Sequence, residues 1–300
     1  MTYHTNIPGV DIDVEALMGL RLLGIRNRVK RTGIAPLSAS LFHRKRGRGS
    51  EPYDVRPWSE GDDIRQIDRN VTARTGMPHV RNFHEERAHN TLYLIDLRPS
   101  MHFGTQRAFR AVAAIEAVVI SAWRMLDLNG SVGITVATST ETIFIGWVEN
   151  RRTFNAMLHK LVILYRDLQN TFDSFEPQLC NALETIEKIG GSASLIIATG
   201  LDKPGANFDP IVKRIVKHRD VTFLLISDPF ERAPPPGNYP YHTLDGLAGN
   251  IFVKSKELKQ KKDIWLTHLL RLGARTLHIN TEFTAPEMAS ILERIFDGSR

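Results

Sequence analysis

LYLIDLRPSM, residues 92–101, is an apolar strand that stops on Asp96 and then offers Arg98 and Ser100 at alternate positions. Beyond residue 90, short β-rich runs of this kind alternate with longer segments of 3.6-residue period, the signature of a wound α/β sheet. TLYLID (91–96) is its first strand. Residues 106–128 put Phe109, Val112, Ala113, Val119, Ile120, Trp123 and Leu126 on one helical stripe, and Asn129-Gly130 supplies a left-handed stop. SVGITVA and ETIFIGW, separated by a short Thr/Ser turn, predict a hairpin that places one antiparallel strand in an otherwise parallel sheet. Helical patterns follow at 151–165 and 178–189, then strand ASLIIAT (193–199), a helix around 208–218 and strand VTFLLIS (221–227). The Pro- and Gly-rich run 229–250 predicts a loop that leaves the sheet before a short strand, IFV, and helices at 256–272 and 286–296 flank a last strand, ARTLHI. The fold class is therefore α/β, with a doubly wound, mostly parallel sheet.

The 300 residues, 42% of them hydrophobic, can bury one large core without disulfides or metals. The single Cys180 has no partner for an internal disulfide and sits on a helical face, so a buried thiol in a reducing cytosol is expected. The longest apolar window, AVAAIEAVVISAW, is short and carries Glu116, so neither a signal peptide nor an integral membrane span is expected. Net charge is +6, and between Ala16 and Ser50 nine Lys or Arg occur with no acid. Such a stretch suits nucleic acid, an acidic protein or an anionic membrane surface, or is a solvated arm with no specific ligand, since Phe42 is the one Phe, Tyr or Trp within it and no series of aromatic residues interleaves as stacking platforms. Apart from a helical pattern at 13–31, the first 90 residues have weak periodicity. The expected organisation is a basic extension (1–88), an α/β domain (89–255) and a helical C-terminal segment (256–300).

In an open α/β sheet, polar ligands gather at the carboxyl ends of the strands, where loops diverge and helix N-termini converge. The first strand end offers Asp96, Arg98 and Ser100, the strand ending at 199 offers Thr199, Gly200 and Asp202, and the strand ending at 227 offers Ser227 and Asp228. The run QNTFDSFE (169–176) could add Thr171 or Asp173. A strand ending in Asp-x-Ser-x-Ser resembles the start of the metal-ion-dependent adhesion site of the von Willebrand factor type A fold. Such a site suits Mg²⁺ or Mn²⁺, whose oxygen ligands come from separate loops. Here Asp96, Ser100 and Asp202 are the candidate metal ligands, but Arg98 stands where the middle serine belongs and Gly200 where the second acid is expected. Three arrangements follow: Arg98 as a fixed positive charge paired with Asp96 or Asp202, or Asp96 and Ser100 merely capping the following turn or helix; a displaced, weak metal; or an intact metal site. The first, with no ion at all, is the expected one.

Upstream, EPYDVRPWSEGDDIRQIDRNVTARTGMPHVRNFHEE (51–86) closely resembles the bacterial family called domain of unknown function 58. The matching positions are Glu51, Arg56, Trp58, Gly61, Asp62, Asp63, Arg65, Ile67, Asp68, Ala73, Arg74, Val80, Arg81, Phe83 and Glu86. Further family-like marks are Asp228 to Glu231, Asp245 and Gly249, while Arg69 replaces the Trp that commonly follows Ile-Asp. Alternating acids and arginines in this stretch suit an internal salt-bridge network, and Trp58 is the aromatic placed to make a contact. The resemblance implies a von Willebrand type A-like domain acting without catalysis as the adaptor of a MoxR-type AAA+ ATPase toward a client protein. Against an enzyme such as a phosphohydrolase with Asp96 as nucleophile stands Arg98, where a second acid is wanted.

Overall fold

The computed structural model describes residues 7–23, 52–59, 67–83, 90–170, 175–189, 193–242, 248–253 and 257–296. Contacts divide the chain into two compact units, residues 1–36 with 89–300, and residues 37–88. Within the larger unit the chain begins with helix α1 (Val14–Gly19), opened by Asp13, whose carboxylate accepts the Ala16 amide at 3.2 Å. The helical pattern at 13–31 thus yields one short helix and a further turn at 21–23, and its remainder lies outside the described residues.

The smaller unit holds the family-like motif. Strand β1 (Pro52–Pro57) pairs antiparallel with β2 (His79–Phe83), setting Arg56 opposite Val80 and Val55 opposite Arg81. Between them lies α2 (Arg69–Thr75), which Asp68 caps by accepting the amides of Asn70 at 2.9 Å and Val71 at 3.1 Å. It ends on Gly76, whose left-handed φ of 71° a residue with a Cβ would adopt only under strain. Asp68 therefore fixes local backbone, Arg74 lies on the exposed side of α2, and Trp58 is exposed. Gly61, Asp62, Asp63 and Arg65 lie outside the described residues.

The larger unit is built on a six-stranded sheet. In chain order it runs β3 (Asn90–Asp96), α3 (Arg110–Asp127), β4 (Ser131–Ala137), β5 (Thr142–Val148), α4 (Arg151–Asn170), α5 (Leu179–Ile189), β6 (Ser194–Thr199), α6 (Phe208–Val216) and β7 (Val221–Ser227). A hairpin of β8 (Gly237–His242) and β9 (Ala248–Val253) intervenes before α7 (Glu257–Arg271), β10 (Arg275–Asn280) and α8 (Ala285–Phe296). The spatial order is β10-β7-β6-β3-β4-β5, parallel throughout except for β5, which runs antiparallel to β4.

Burial on both faces explains why β3 reads as a continuous apolar run. Tyr93 and Ile95 join the core formed with α1, α3, α4 and α8, whereas Leu92 and Leu94 join the core formed with α5, α6 and α7. Helix α3 is the most enclosed, its Trp123 packing edge-on to Phe154 and donating from Nε1 to the Leu17 carbonyl at 3.1 Å.

Two elements depart from the sequence reading. The Pro-rich stretch after 229 is not simply a loop: β8 pairs with β9 from Gly237↔Val253 to His242↔Ala248. Proline is tolerated there because a two-stranded ribbon is all edge, so Pro240 need not donate to an inner ladder. Helix α4 extends to Asn170, beyond the apolar stripe, since its last turn needs only one face against the core. Among the described residues no helix is long and apolar enough to cross a membrane.

Candidate functional site

β3 lies between β4 and β6, so the chain leaves it toward one edge, returns, and continues toward the other. That reversal opens a crevice at the carboxyl ends of β3 and β6. Asp96 is the last residue of β3 and is 0% exposed.

Arg98 answers it. Its Nε donates to Asp96 Oδ1 at 2.8 Å and its Nη2 to Oδ2 at 2.7 Å, a parallel fork, while its backbone amide donates to Oδ1 at 3.1 Å. Thr199, at the end of β6, donates from its hydroxyl to Oδ2 at 2.7 Å. The remaining guanidinium hydrogens reach the Asp202 carbonyl from Nη2 at 2.9 Å and the Pro177 carbonyl from Nη1 at 2.7 Å. Arg98, 1% exposed, is thus a fully coordinated buried cation. Burial alone would lower its pKa, but the bonds and charge of Asp96, with Glu176 and Asp202 beyond, raise it above the usual arginine value.

Ser100 turns to a residue that the sequence did not single out. Glu176 accepts the Ser100 amide on Oε2 and the Ser100 hydroxyl on Oε1, each at 2.9 Å, and Oε1 stands 3.3 Å from Arg98 Nη1. Burial pushes the Glu176 carboxyl above its ordinary range, against the Ser100 and Arg98 contacts that favour its charged form. Glu176 lies in QNTFDSFE, the run expected to contribute Thr171 or Asp173; both of those lie outside the described residues.

The carboxylate of Asp202 does not join Asp96. Its Oδ2 lies 2.9 Å from Arg110 Nη1, which also pairs with Glu231 Oε1 at 2.7 Å, while Arg110 Nη2 donates to the Ser100 carbonyl. Burial raises the Asp202 pKa, Arg110 opposes that shift, and the charges of Glu231 and Asp96 reinforce it. So Arg98 pairs with Asp96 as one alternative expected, while Asp202 gives it only a carbonyl and pairs through its carboxylate with Arg110. Arg110 left a readable signal: a cation in the first turn of α3 opposes the helix dipole and needs an outside partner.

At the third strand end, Asp228 receives four bonds. Oδ1 accepts the Thr105 hydroxyl at 2.5 Å and the Phe230 amide at 2.9 Å; Oδ2 accepts the Thr105 amide at 2.9 Å and the Thr281 hydroxyl at 3.0 Å. Burial would raise its pKa, but the bonds from Thr105, Phe230 and Thr281 hold it below the usual carboxylate range. Asp228 therefore ties three loops together. Beside it, Ser227 Oγ lies 2.6 Å from His278 Nε2.

The residues at Asp96 do not fit a divalent cation while Arg98 holds this position. Both Asp96 oxygens already accept from a guanidinium, which would repel an ion placed against them, and Glu176 and Ser100 are turned to each other. Among the described residues no group of three His, Cys, Asp or Glu side chains could hold a metal.

Counting its own six strands from the N-terminus, the sheet has the order 6-5-4-1-2-3 with strand 3 antiparallel, and its polar groups gather at the ends of strands 1, 4 and 5. That arrangement defines a von Willebrand type A-like domain. The chain belongs to the family described as "Protein of unknown function DUF58", whose model matches residues 54–243. It is similar to the "Uncharacterized protein Rv1480" of Mycobacterium tuberculosis (strain ATCC 25618 / H37Rv) and to "Uncharacterized protein Mb1516" of Mycobacterium bovis. In each case 43% of 75 residues are identical, spanning 24% of this chain and 24% of the relative. Among solved structures, the SpRpn10 VWA domain matches with a TM-score of 0.42 and 11% identity, over 69% of this chain and 95% of that one. An uncharacterised membrane spanning protein from Vibrio fischeri matches with a TM-score of 0.22 and 15% identity, over 69% and 98%.

Proposed function

We propose that this chain is a non-enzymatic protein-interaction module that links a MoxR-type AAA+ ATPase to a client protein through the loops at the ends of β3, β6 and β7. Its adhesion site is degenerate, with the guanidinium of Arg98 as a fixed internal cation in place of Mg²⁺ or Mn²⁺. The observation that carries this reading is the buried fork between Arg98 and both oxygens of Asp96. A carboxylate so engaged is neither a free metal ligand nor a nucleophile that water or substrate can reach, which argues against the hydrolase alternative. What faces outward is a rim: Phe103, edge-on to Phe230, and Lys203, whose ammonium lies 5.2 Å from the Phe175 ring. Aromatic and cationic groups around a rigid centre are common anchors of protein contacts.

The nucleic-acid alternative rests on charge alone, and most of its 21–48 stretch lies outside the described residues. The test is co-purification with the nucleotide-free MoxR-type ATPase of the same organism, in Mg²⁺ and in chelator. The expected result is equal capture in both, reduced at least tenfold by a Phe103→Asp and Lys203→Glu double substitution. No capture, or capture lost in chelator alone, overturns the proposal.

A further inference from the structure

The strand-end site is built entirely from the larger unit, which leaves the motif-bearing smaller unit without a role. Its described polar residues divide into two groups. One group holds the local fold: Asp68 caps α2, the Thr72 hydroxyl accepts the His79 amide at 3.0 Å, and the Thr75 hydroxyl donates to the Val71 carbonyl at 2.9 Å. The other group holds nothing. Arg69 and Arg74 are exposed, α2 carries no acid, and among the described residues neither guanidinium has a hydrogen bond or an ion pair.

The same end of the unit is apolar. The Trp58 amide donates to the Pro78 carbonyl and the Asp68 amide to the His79 carbonyl, each at 2.8 Å, so residues 78–79 run between Trp58 and the start of α2. Two strand spacings put Trp58 and the first turn of α2 roughly 10 Å apart. Trp58 is 38% exposed and Met77 65%, with Pro57 and Pro78 exposed beside them. Exposed Trp and Met next to unengaged Arg is the composition enriched at protein interfaces rather than on free surface.

Resting on the interaction-module reading above, we propose that this end of the smaller unit is a second docking surface, which takes an acidic segment of a partner protein with an apolar residue between its carboxylates. An adaptor joins two proteins and needs two surfaces. The rim of Phe103 and Lys203 in the larger unit supplies one; Trp58, Met77, Arg69 and Arg74 supply the other.

Charge and shape select the occupant. Both cations are arginine, whose planar fork takes a carboxylate through two parallel bonds, and α2 offers no acid of its own to compete. Trp58 and Met77 give the apolar residue a seat between them and the arginines. Nucleic acid fits less well. Two cations are too few to track a phosphate backbone, and one Trp flanked by Met and Pro is not a series of stacking platforms.

The test is the binding of the fluorescently labelled peptide Glu-Asp-Leu-Phe-Asp-Glu to the full chain at fixed ionic strength. Affinity should fall at least tenfold in Arg69→Ala with Arg74→Ala and again in Trp58→Ser, and should be unchanged in Phe103→Asp with Lys203→Glu. The substituted residues are exposed, so the thermal midpoints should stay at the wild-type value. Equal affinity in the arginine variant overturns the proposal, because the peptide is then held by other cations of the chain. Equal affinity for Glu-Asp-Ser-Ser-Asp-Glu overturns the apolar seat, and oligothymidylate that displaces the peptide at lower concentration overturns the choice of a protein partner. A charge swap gives a readout that loss of folding cannot imitate: Arg69→Glu with Arg74→Glu should prefer Lys-Lys-Leu-Phe-Lys-Lys to the acidic peptide, and an unswitched preference overturns the proposal. Capture of the ATPase that persists beside null peptide results would leave the interaction-module reading standing, whereas peptide binding as expected with no ATPase capture would remove that partner and keep this surface.

Discussion

Arg98 is held by two carboxylates and two carbonyls inside a site with almost no solvent, so deleting it leaves Asp96 and Glu176 buried without their counterion. Breaking a buried pair from one side costs about 3–5 kcal/mol, far more than the net worth of the pair. Arg98→Ala should therefore lower the unfolding free energy extrapolated from urea titration by that order, and Arg98→Lys, which keeps the charge but loses the fork, should fall between it and the wild type. Asp228 gives a prediction in pH. Its folded pKa is depressed, so its contribution is complete above the unfolded carboxylate value, about 4, and is lost as pH falls through the lower folded value. Glu176 and Asp202 act in the opposite sense: their raised values make stability decline as pH rises from the ordinary carboxylate range to the folded pKa. Urea midpoints measured from acid to neutral pH should show Asp228→Asn with a shallower acid limb than the wild type; an identical limb would contradict the assignment. The Asp96–Arg98 pair was legible in sequence because its members are two residues apart. Glu176, 76 residues from Ser100, became visible only once the sheet had brought α5's approach beside the end of β3.

The elements were legible where one periodicity persisted and hidden where context overrode it. β3, β4, β6 and β7 announced themselves as apolar runs because helices cover both faces of the sheet, and β5 was marked by its turn. β8 was concealed by proline, which argues against an inner strand but permits an edge. At the β4–β5 edge, Gly133 explains how an aromatic packs on the sheet. A Cβ there would lie 2.9 Å from two atoms of the Trp147 indole, closer than real contacts allow, and 3.0 Å from Leu92 Cδ1, which would have to give way slightly. Trp147 therefore lies over a glycine floor, and Gly133→Ala should displace it at a cost of ~1–3 kcal/mol, as overpacking generally does. Tryptophan emission should shift red as the ring moves into water, and in a Trp147→Ala background the same substitution should cost less. Additive costs in that double-mutant cycle would show that the glycine serves some other contact.

For the molecule as a whole, a ligand that binds only the native state raises stability by mass action, so a resident divalent cation would make the thermal midpoint depend on its concentration. With Arg98 in place, Mg²⁺ meets a positive charge that already engages both Asp96 oxygens, and the midpoint in millimolar Mg²⁺ should equal that in NaCl of the same ionic strength. Arg98→Ser should reverse this behaviour. It removes the internal cation and supplies a hydroxyl at that position, leaving Asp96, Ser100, Thr199 and Glu176 as oxygen donors around the vacated space. The variant should be less stable than the wild type in chelator and regain part of the loss in Mg²⁺, by about 1.4 kcal/mol when the ion is present at roughly ten times its dissociation constant. A wild type stabilised by Mg²⁺ would mean that the ion displaces the guanidinium. An Arg98→Ser variant that folds but ignores Mg²⁺ would mean that these oxygens do not converge on a cation site, and that the role of Arg98 is to neutralise two buried acids rather than to replace a metal.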